Sequence, residues 1–529
     1  MTARSPAISC RISKPPAPRS VRKKPPNAKP CAAASTAQTE TNANERRAND
    51  ECRMPNDECL RHLEYIRHSS FVIRHFIMIP IPLQTLSNFA AGTLRGDGSR
   101  LVTNVNTDSR KITAGLVFVA LVGDKFDAHD FIPQVAAAGA AAVVVSKINP
   151  AWGALPCAVI EVGDTLLALQ NMARGYRQHH APLIIGLTGS NGKTSTKDLA
   201  AIVMARKCQT RATFGNLNNH IGLPLTLLSL REGDQCCITE MGMNHPGEIK
   251  VLTDIADPDA AILTNVGMAH IEYMVTQDAI AWEKATLPAQ VKRGGIVVLN
   301  ANDKYSELIT RHCQATVSTA GVGCGDVSAS HLRADATGTS FTLDFGGEKV
   351  ETRLPILGEH MVGNAALAAC MGWRQGIAPA NIADALNQAK LTGGRVEPKV
   401  VNGIQFIDDT YNANHDSMIA GLRTLSTLGK ARRVAVLGRM GELGAIAEAE
   451  HRRVGEFAGS LKLDAVFSVG GSEAAWITAA SKAVPSEHFP DHAACAARLR
   501  EWLCEGDVVL LKGSRSARME QVLTHFSAS

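Results

Sequence analysis

The stretch GLTGSNGKTSTKD, residues 186–198, decides the fold. It follows the apolar run Leu183, Ile184 and Ile185 and leads into the helix-like LAAIVMARK at 199–207. Strand, glycine-rich turn and helix start together form an anion cradle. Glycines let backbone N–H groups approach closely, and the helix dipole adds positive potential. Gly189, Ser190, Asn191, Gly192, Lys193, Thr194 and Ser195 are therefore the candidate phosphate contacts. Lys193 is placed for the outer phosphates of a nucleotide, and the Thr194 hydroxyl for Mg²⁺. The first glycine of the strict G-x-x-x-x-G-K-[ST] pattern falls on Leu187, which leaves the shorter G-x-x-G-K-T from Gly189 to Thr194. The pattern predicts ATP and Mg²⁺ as ligands.

A chain of 529 residues predicts about three domains at roughly 150 residues each. With 45% hydrophobic residues it has enough apolar material for their cores. No apolar run approaches the ~20 residues that span a bilayer. Thirteen cysteines are scattered without a C-x-x-C pair or metal-ligand spacing, as in a cytoplasmic protein with reduced thiols.

The net charge of +5 resides at the start of the chain. Residues 1–77 hold 14 Lys and Arg against 7 Asp and Glu, which leaves 41 against 43 in the remainder. The body is nearly neutral and has no nucleic-acid-binding character. The segment 1–77 is rich in Pro, Ala, Arg and Lys and has no acid before Glu40. It reads as a disordered extension, a transit peptide, or sequence preceding a wrongly assigned start, with Met78 as the natural beginning.

From Met78 the pattern is α/β in three units. The first, 78–180, alternates β-type runs (LVFVALVG, AAVVVS, CAVIEV) with Ala-rich helical stretches. The second, 181–396, has buried-strand candidates CCITEMG, AAILTNVG and GIVVLNAN around the phosphate loop. The third, 397–529, carries GIQFIDDT, RVAVLG, AVFSVG and DVVLLKG with helices between, a small Rossmann-like pattern. Ligands of open α/β sheets bind outside the carboxyl ends of strands. Glu240 closes CCITE and His270 follows AILTNVGMA, so Thr194, Glu240 and His270 are the candidate metal ligands. Mg²⁺ prefers oxygen, which makes His270 the least expected of the three.

Several motifs then occur in order: NTDSRKITAGLVFVALVGDKFDAHDF (106–131), TGSNGKTSTK (188–197), TFGNLNNHIGLPLTLL (213–228), EMGMNHPGEI (240–249), TNVGMAHIEYM (264–274), GRVEPKVVNGIQFIDDTYNANHDSM (394–418) and LLKGSRSARME (510–520). On these, from about Met78 to the end, the chain resembles the Mur ligases. The resemblance implies a three-domain architecture with a central P-loop ATPase-type, parallel-rich sheet and a Rossmann-like acceptor-binding domain at 397–529. It implies a UDP-substrate domain at 78–180, with Ser109, Arg110, Lys125 and His129 as nucleotide-substrate contacts. It implies catalytic roles for Lys193, Glu240, His270 and Lys284, the last in AWEKATL where related ligases often carry a carbamylated lysine. Asn364, Arg395 and Asp409 are implied at the ATP side. Asn218, Asn219, Tyr411, Asn412, Asn414, Lys512, Ser514 and Arg515 are implied at the substrate side.

Within the family, IDDTYNAN (407–414) is the type of sequence found where D-Ala-D-Ala is added to UDP-N-acetylmuramoyl-tripeptide. AHIE at 269–272 and the lack of a DNPR motif differ from the enzyme adding the third residue. The implied chemistry is phosphorylation of the tripeptide carboxylate by ATP, followed by attack of the dipeptide amine on the acyl phosphate. The chain departs from the family pattern at His220, Met361, His415, Arg439 and Gly441. Another Mur-type amide ligase and a non-catalytic ATP-binding switch remain the alternatives, and a monomer is the default expectation.

Overall fold

The computed structural model describes residues 78–335, 337–428 and 432–528, so the expected extension 1–77 lies outside the described residues. Three principal sheets correspond to the three units. In the first, the order is Thr93–Arg95, Ala158–Glu161, Ala142–Val145, Leu116–Val119 and Asn104–Asn106. All pairings are parallel except that of the edge strand Thr93–Arg95. Leu116–Val119 and Ala142–Val145 are buried at every position. That is why they read as continuous apolar runs rather than alternating ones.

The helix Thr165–His180 joins this unit to the next. It begins at Asp164, whose carboxylate accepts from the backbone N–H groups of Leu166 and Leu167. Its buried Tyr176 accepts from Ile79 N at 2.7 Å and donates to Leu230 O at 3.1 Å. Arg177 donates to Ala256 O, Asp257 O and Asp259 Oδ2. The helix therefore precedes the boundary at residue 180 in sequence but is bonded to the unit that follows.

The central sheet has nine strands. Their order is Thr210–Ala212, Cys236–Glu240, Leu183–Thr188, Ala260–Leu263, Ile296–Asn300, Thr316–Val322, Val327–Asp335, Gly338–Phe345 and Glu348–Leu354. The first seven run parallel and the last two continue antiparallel. The antiparallel extension was not expected from sequence; Gly346 and Gly347, both at positive φ, form its hairpin turn. Leu183–Thr188 is flanked by Cys236–Glu240 on one side and Ala260–Leu263 on the other, so the phosphate loop leaves the sheet at its topological switch point.

The third sheet runs Glu397–Val401, Ile404–Asp409, Val508–Lys512, Arg433–Leu437, Ala465–Val469 and Ser486–Phe489. Only its first pair is antiparallel. The register sets Asp409 beside Lys512 and Lys512 beside Leu437, at the carboxyl ends of three interior strands.

Candidate functional site

A cleft of about 1650 Å³ runs between the carboxyl ends of the central and third sheets. Its floor is the phosphate loop. Gly189 has φ +152, and a Cβ there would collide with Thr264 Oγ1. Gly192 has φ +75 and faces Asn364, whose Oδ1 would lie 2.6 Å from an added Cβ. Both positions thus demand glycine by backbone conformation and by close approach. The loop is tied to the neighbouring strand end: Asn191 N donates to Asn265 Oδ1, while Thr264 Oγ1 and Asn265 Nδ2 donate to Asn191 O. The helix Lys193–Met204 then starts directly beneath it.

Lys193 Nζ donates to Gly189 O at 2.7 Å and to Ser190 O at 3.3 Å, folding back over its own loop. Burial lowers its pKa, and the Glu240 carboxylate works against that shift. Glu240 is 2% exposed at the end of its strand. Its Oε1 accepts from Asn218 Nδ2 at 2.9 Å, whereas its Oε2 is buried without a partner. A buried carboxylate oxygen left unsatisfied is costly unless a cation comes to it. Thr194 Oγ1 accepts from Arg395 at 3.0 Å; the Arg395 guanidinium also lies over the Tyr411 ring at 3.7 Å.

The third unit meets this floor at several points. Asn414 caps the helix His415–Thr427 and donates from Nδ2 to Asn191 Oδ1 at 2.7 Å. Asp416 Oδ2 accepts from Met268 N, and it occupies the space a Cβ on Gly267 would take. His270 Nδ1 lies 2.6 Å from Glu442 Oε2, with the carboxylate off the N–H axis of the ring. His270 holds the Glu442 carboxyl below its usual range, an effect burial opposes. Buried Lys512 donates to Asp409 Oδ2 at 2.6 Å and to Asn412 O at 3.1 Å. His360 is pushed down to about 4 by burial, near that ion pair.

Most of the expected residues line the cleft, from Ser190 through Ser195 on the floor to Ser514 and Arg515 on the third unit. Others take different places. Ser109, Arg110, Lys125 and His129 lie in the first unit and do not reach the cleft. Arg110 is exposed and pairs with Asp108. His129 is buried, with Nδ1 2.6 Å from Asp127 Oδ1, while Nε2 accepts from Ser146 N. Its two ring nitrogens are thus used inside the unit. Asn219 Oδ1 accepts from Ile221 N and Gly222 N and so organises a helix start. Arg515 pairs with Glu520 at the rim. Lys284 is 1% exposed, and burial, with Lys193 nearby, lowers its pKa well below the usual lysine value.

Glu442, Asp416, His360 and Asn265 were missed in the sequence. Asn265 and Glu442 each follow a strand end, a signal that could have found them. Among the described residues no three His, Cys, Asp or Glu side chains gather as a metal cluster. The nine cysteines in the described residues are all free. No helix among those residues is long and apolar enough to cross a membrane.

Comparison with known proteins follows the same three units. Residues 101–177 match the family described as Mur ligase family, catalytic domain, residues 187–372 the Mur ligase middle domain, and residues 394–515 the Mur ligase, glutamate ligase domain. The chain is 36% identical over 452 residues to the UDP-N-acetylmuramoyl-tripeptide–D-alanyl-D-alanine ligase of Escherichia coli (strain K12), covering 84% of this chain and 98% of the relative. A crystal structure of MurF from Acinetobacter baumannii superposes with a TM-score of 0.79 at 30% identity, over 85% of this chain and 100% of the other. MurF ligase from Thermotoga maritima in complex with ADP superposes with a TM-score of 0.73 at 28% identity, over 80% of this chain and 96% of the other.

Proposed function

The chain belongs to the Mur ligase family, and from that premise we infer that it is the ATP-dependent ligase adding D-Ala-D-Ala to UDP-N-acetylmuramoyl-tripeptide in peptidoglycan synthesis. The observation that carries the site assignment is the buried Glu240 with its unpartnered Oε2, set beside the Lys193 loop.

The physical problem is that a carboxylate is a poor acyl donor, because oxide is a poor leaving group. In the proposed course, a tripeptide carboxylate oxygen attacks the γ-phosphorus of ATP, the bond from that phosphorus to the β-bridging oxygen breaks, and ADP leaves. The dipeptide amine then forms the amide bond to the carbonyl carbon as phosphate departs and the amine proton is lost. Such chemistry depends on positioning and on neutralising charge. Lys193 serves the β- and γ-phosphates, and the loop from Gly189 to Ser195 surrounds them, with the N–H groups at the helix start, Gly192 to Ser195, as the backbone donors, because those of Ser190 and Asn191 are held by Asn265. Asn364 and Arg395 serve the nucleotide beside that loop.

Oxygen donors at Thr194 and Glu240 suit Mg²⁺, which prefers oxygen and completes its shell with water and phosphate. Bound there, Mg²⁺ would neutralise charge on the phosphates. The buried, readily deprotonated Lys284 amine fits the position of a carbamylated lysine. Asp409, Lys512, Tyr411, Asn412, Asn414 and Ser514 frame the side from which the dipeptide enters. In this reading UDP-linked substrate and ATP meet in the cytoplasm. Ser109, Arg110, Lys125 and His129, in the first unit, are the candidates for the UDP end.

The test is phosphate release from the protein with ATP, Mg²⁺ and UDP-muramoyl-tripeptide, with and without D-Ala-D-Ala, and the product identified by mass. Release that requires both substrates, with the pentapeptide formed, is the expected result. Nucleotide binding without turnover would overturn it in favour of a switch. Turnover only with a different amine would favour another ligase of the family.

A further inference from the structure

The loop after Arg433–Leu437 is held firmly for a surface turn. Gly438 N donates to Lys512 O and Ser514 N donates to Arg439 O, prolonging the ladder between their strands. Met440 N donates to His451 Nε2 at 2.8 Å, and His451 Nδ1 lies 2.7 Å from Ala447 O. His451 is wholly buried, so one tautomer, with its proton on Nδ1, satisfies both contacts. Beyond this anchor, Glu442 sits at φ 59, a left-handed conformation that a side chain tolerates only when its surroundings hold it there. Gly444 lies against Glu272, with an added Cβ 3.2 Å from its Cγ. The frame brings Glu442 Oε2 to 2.6 Å from His270 Nδ1. His270 is itself at φ 65. Two strained non-glycine residues from different units therefore meet side chain to side chain, with Lys193 near enough to act on the Glu442 charge.

We propose that Glu442 is a positioning residue of the ligase, acting through His270 to hold the imidazole in its working orientation across the cleft. The proposal rests on the amide-ligase reading above. Set 2.6 Å from Nδ1, though off the ring's N–H axis, the carboxylate crowds that side of the imidazole and leaves Nε2 as the nitrogen turned to other partners. Glu442 arrives on the acceptor-binding unit, so His270 gains this support when that unit is seated on the central one.

The experiment compares the full chain with Glu442→Gln, Glu442→Asp, His270→Asn and the double variant Glu442→Gln/His270→Asn, under the ligation conditions above. Glu442→Gln is expected to lower kcat about 10- to 100-fold, with KM for D-Ala-D-Ala unchanged. Glu442→Asp restores part of that loss. In the His270→Asn background, Glu442→Gln costs nothing further, because the lost contact is the same one. In the nucleotide-free protein, Glu442→Gln raises hydrogen–deuterium exchange over 266–276. Wild-type kcat in Glu442→Gln, additive losses in the double variant, or unchanged exchange over 266–276 would each overturn the proposal and leave the ligase reading intact. Absence of pentapeptide from the wild-type chain would overturn the ligase reading and this proposal with it.

Discussion

Lys193 hydrogen-bonds to its own loop, through Gly189 O and Ser190 O, and touches the third unit only through its charge, which acts on Glu442. Its replacement therefore separates chemistry from folding. Lys193→Ala is expected to slow phosphate release about 10²- to 10³-fold, with the thermal midpoint close to wild type; a variant that folds and still releases phosphate at the wild-type rate would remove the lysine from the mechanism. Lys193, Thr194 and Glu240 were legible in the sequence because local chain geometry alone puts them there, one pair at a helix start and one residue at a strand end. Glu442 carried only the weaker signal of following a strand end, because its partner lies on another unit and no spacing encodes how units seat. His129 shows what a motif leaves out: it places the residue beside a substrate region without revealing that its ring nitrogens bond to Asp127 and Ser146.

At the scale of elements, the helix Thr165–His180 does more than its amphipathic pattern indicates. The Tyr176 hydroxyl joins the start of the described chain at Ile79 to the end of the Gly222–Leu227 helical region at Leu230. Tyr176→Phe leaves that N–H and carbonyl less well satisfied in a buried place. Because Ile79 N also donates to Leu230 O at 3.1 Å, the expected cost is that of an ordinary hydrogen bond, about 0.5–1.5 kcal/mol, read as a lower urea midpoint with unchanged slope, while kcat stays near wild type. Loss of activity at unchanged stability would mean that the helix steers the site rather than supporting the fold. The strands around the phosphate loop were legible because buried parallel strands are continuous apolar runs. The antiparallel extension Val327–Asp335, Gly338–Phe345 and Glu348–Leu354 was harder to read, since its first and last strands are partly exposed and all three mix polar and apolar residues.

At the scale of the whole molecule, one large apolar core among the described residues runs from Met78 through the central sheet to Leu510 in the third, and the first and third sheets each add a smaller cluster of their own. The order of the three units was legible in the sequence because each carries its own run of buried strands; how they seat on one another is set by contacts that no local pattern encodes. The seam at the cleft is defined by a few polar contacts: Asn414 on Asn191, Asp416 on Met268 N, and Glu442 on His270. Gly267 belongs to the same seam. Its own backbone does not require glycine, but the Asp416 carboxylate from the third unit fills the space beside its Cα. A single methyl group at 267 would leave each half intact and act as a wedge in the joint between them. The molecule would then be propped ajar, able to take up nucleotide yet barred from shutting on it, and the two halves of its working cycle could be watched apart.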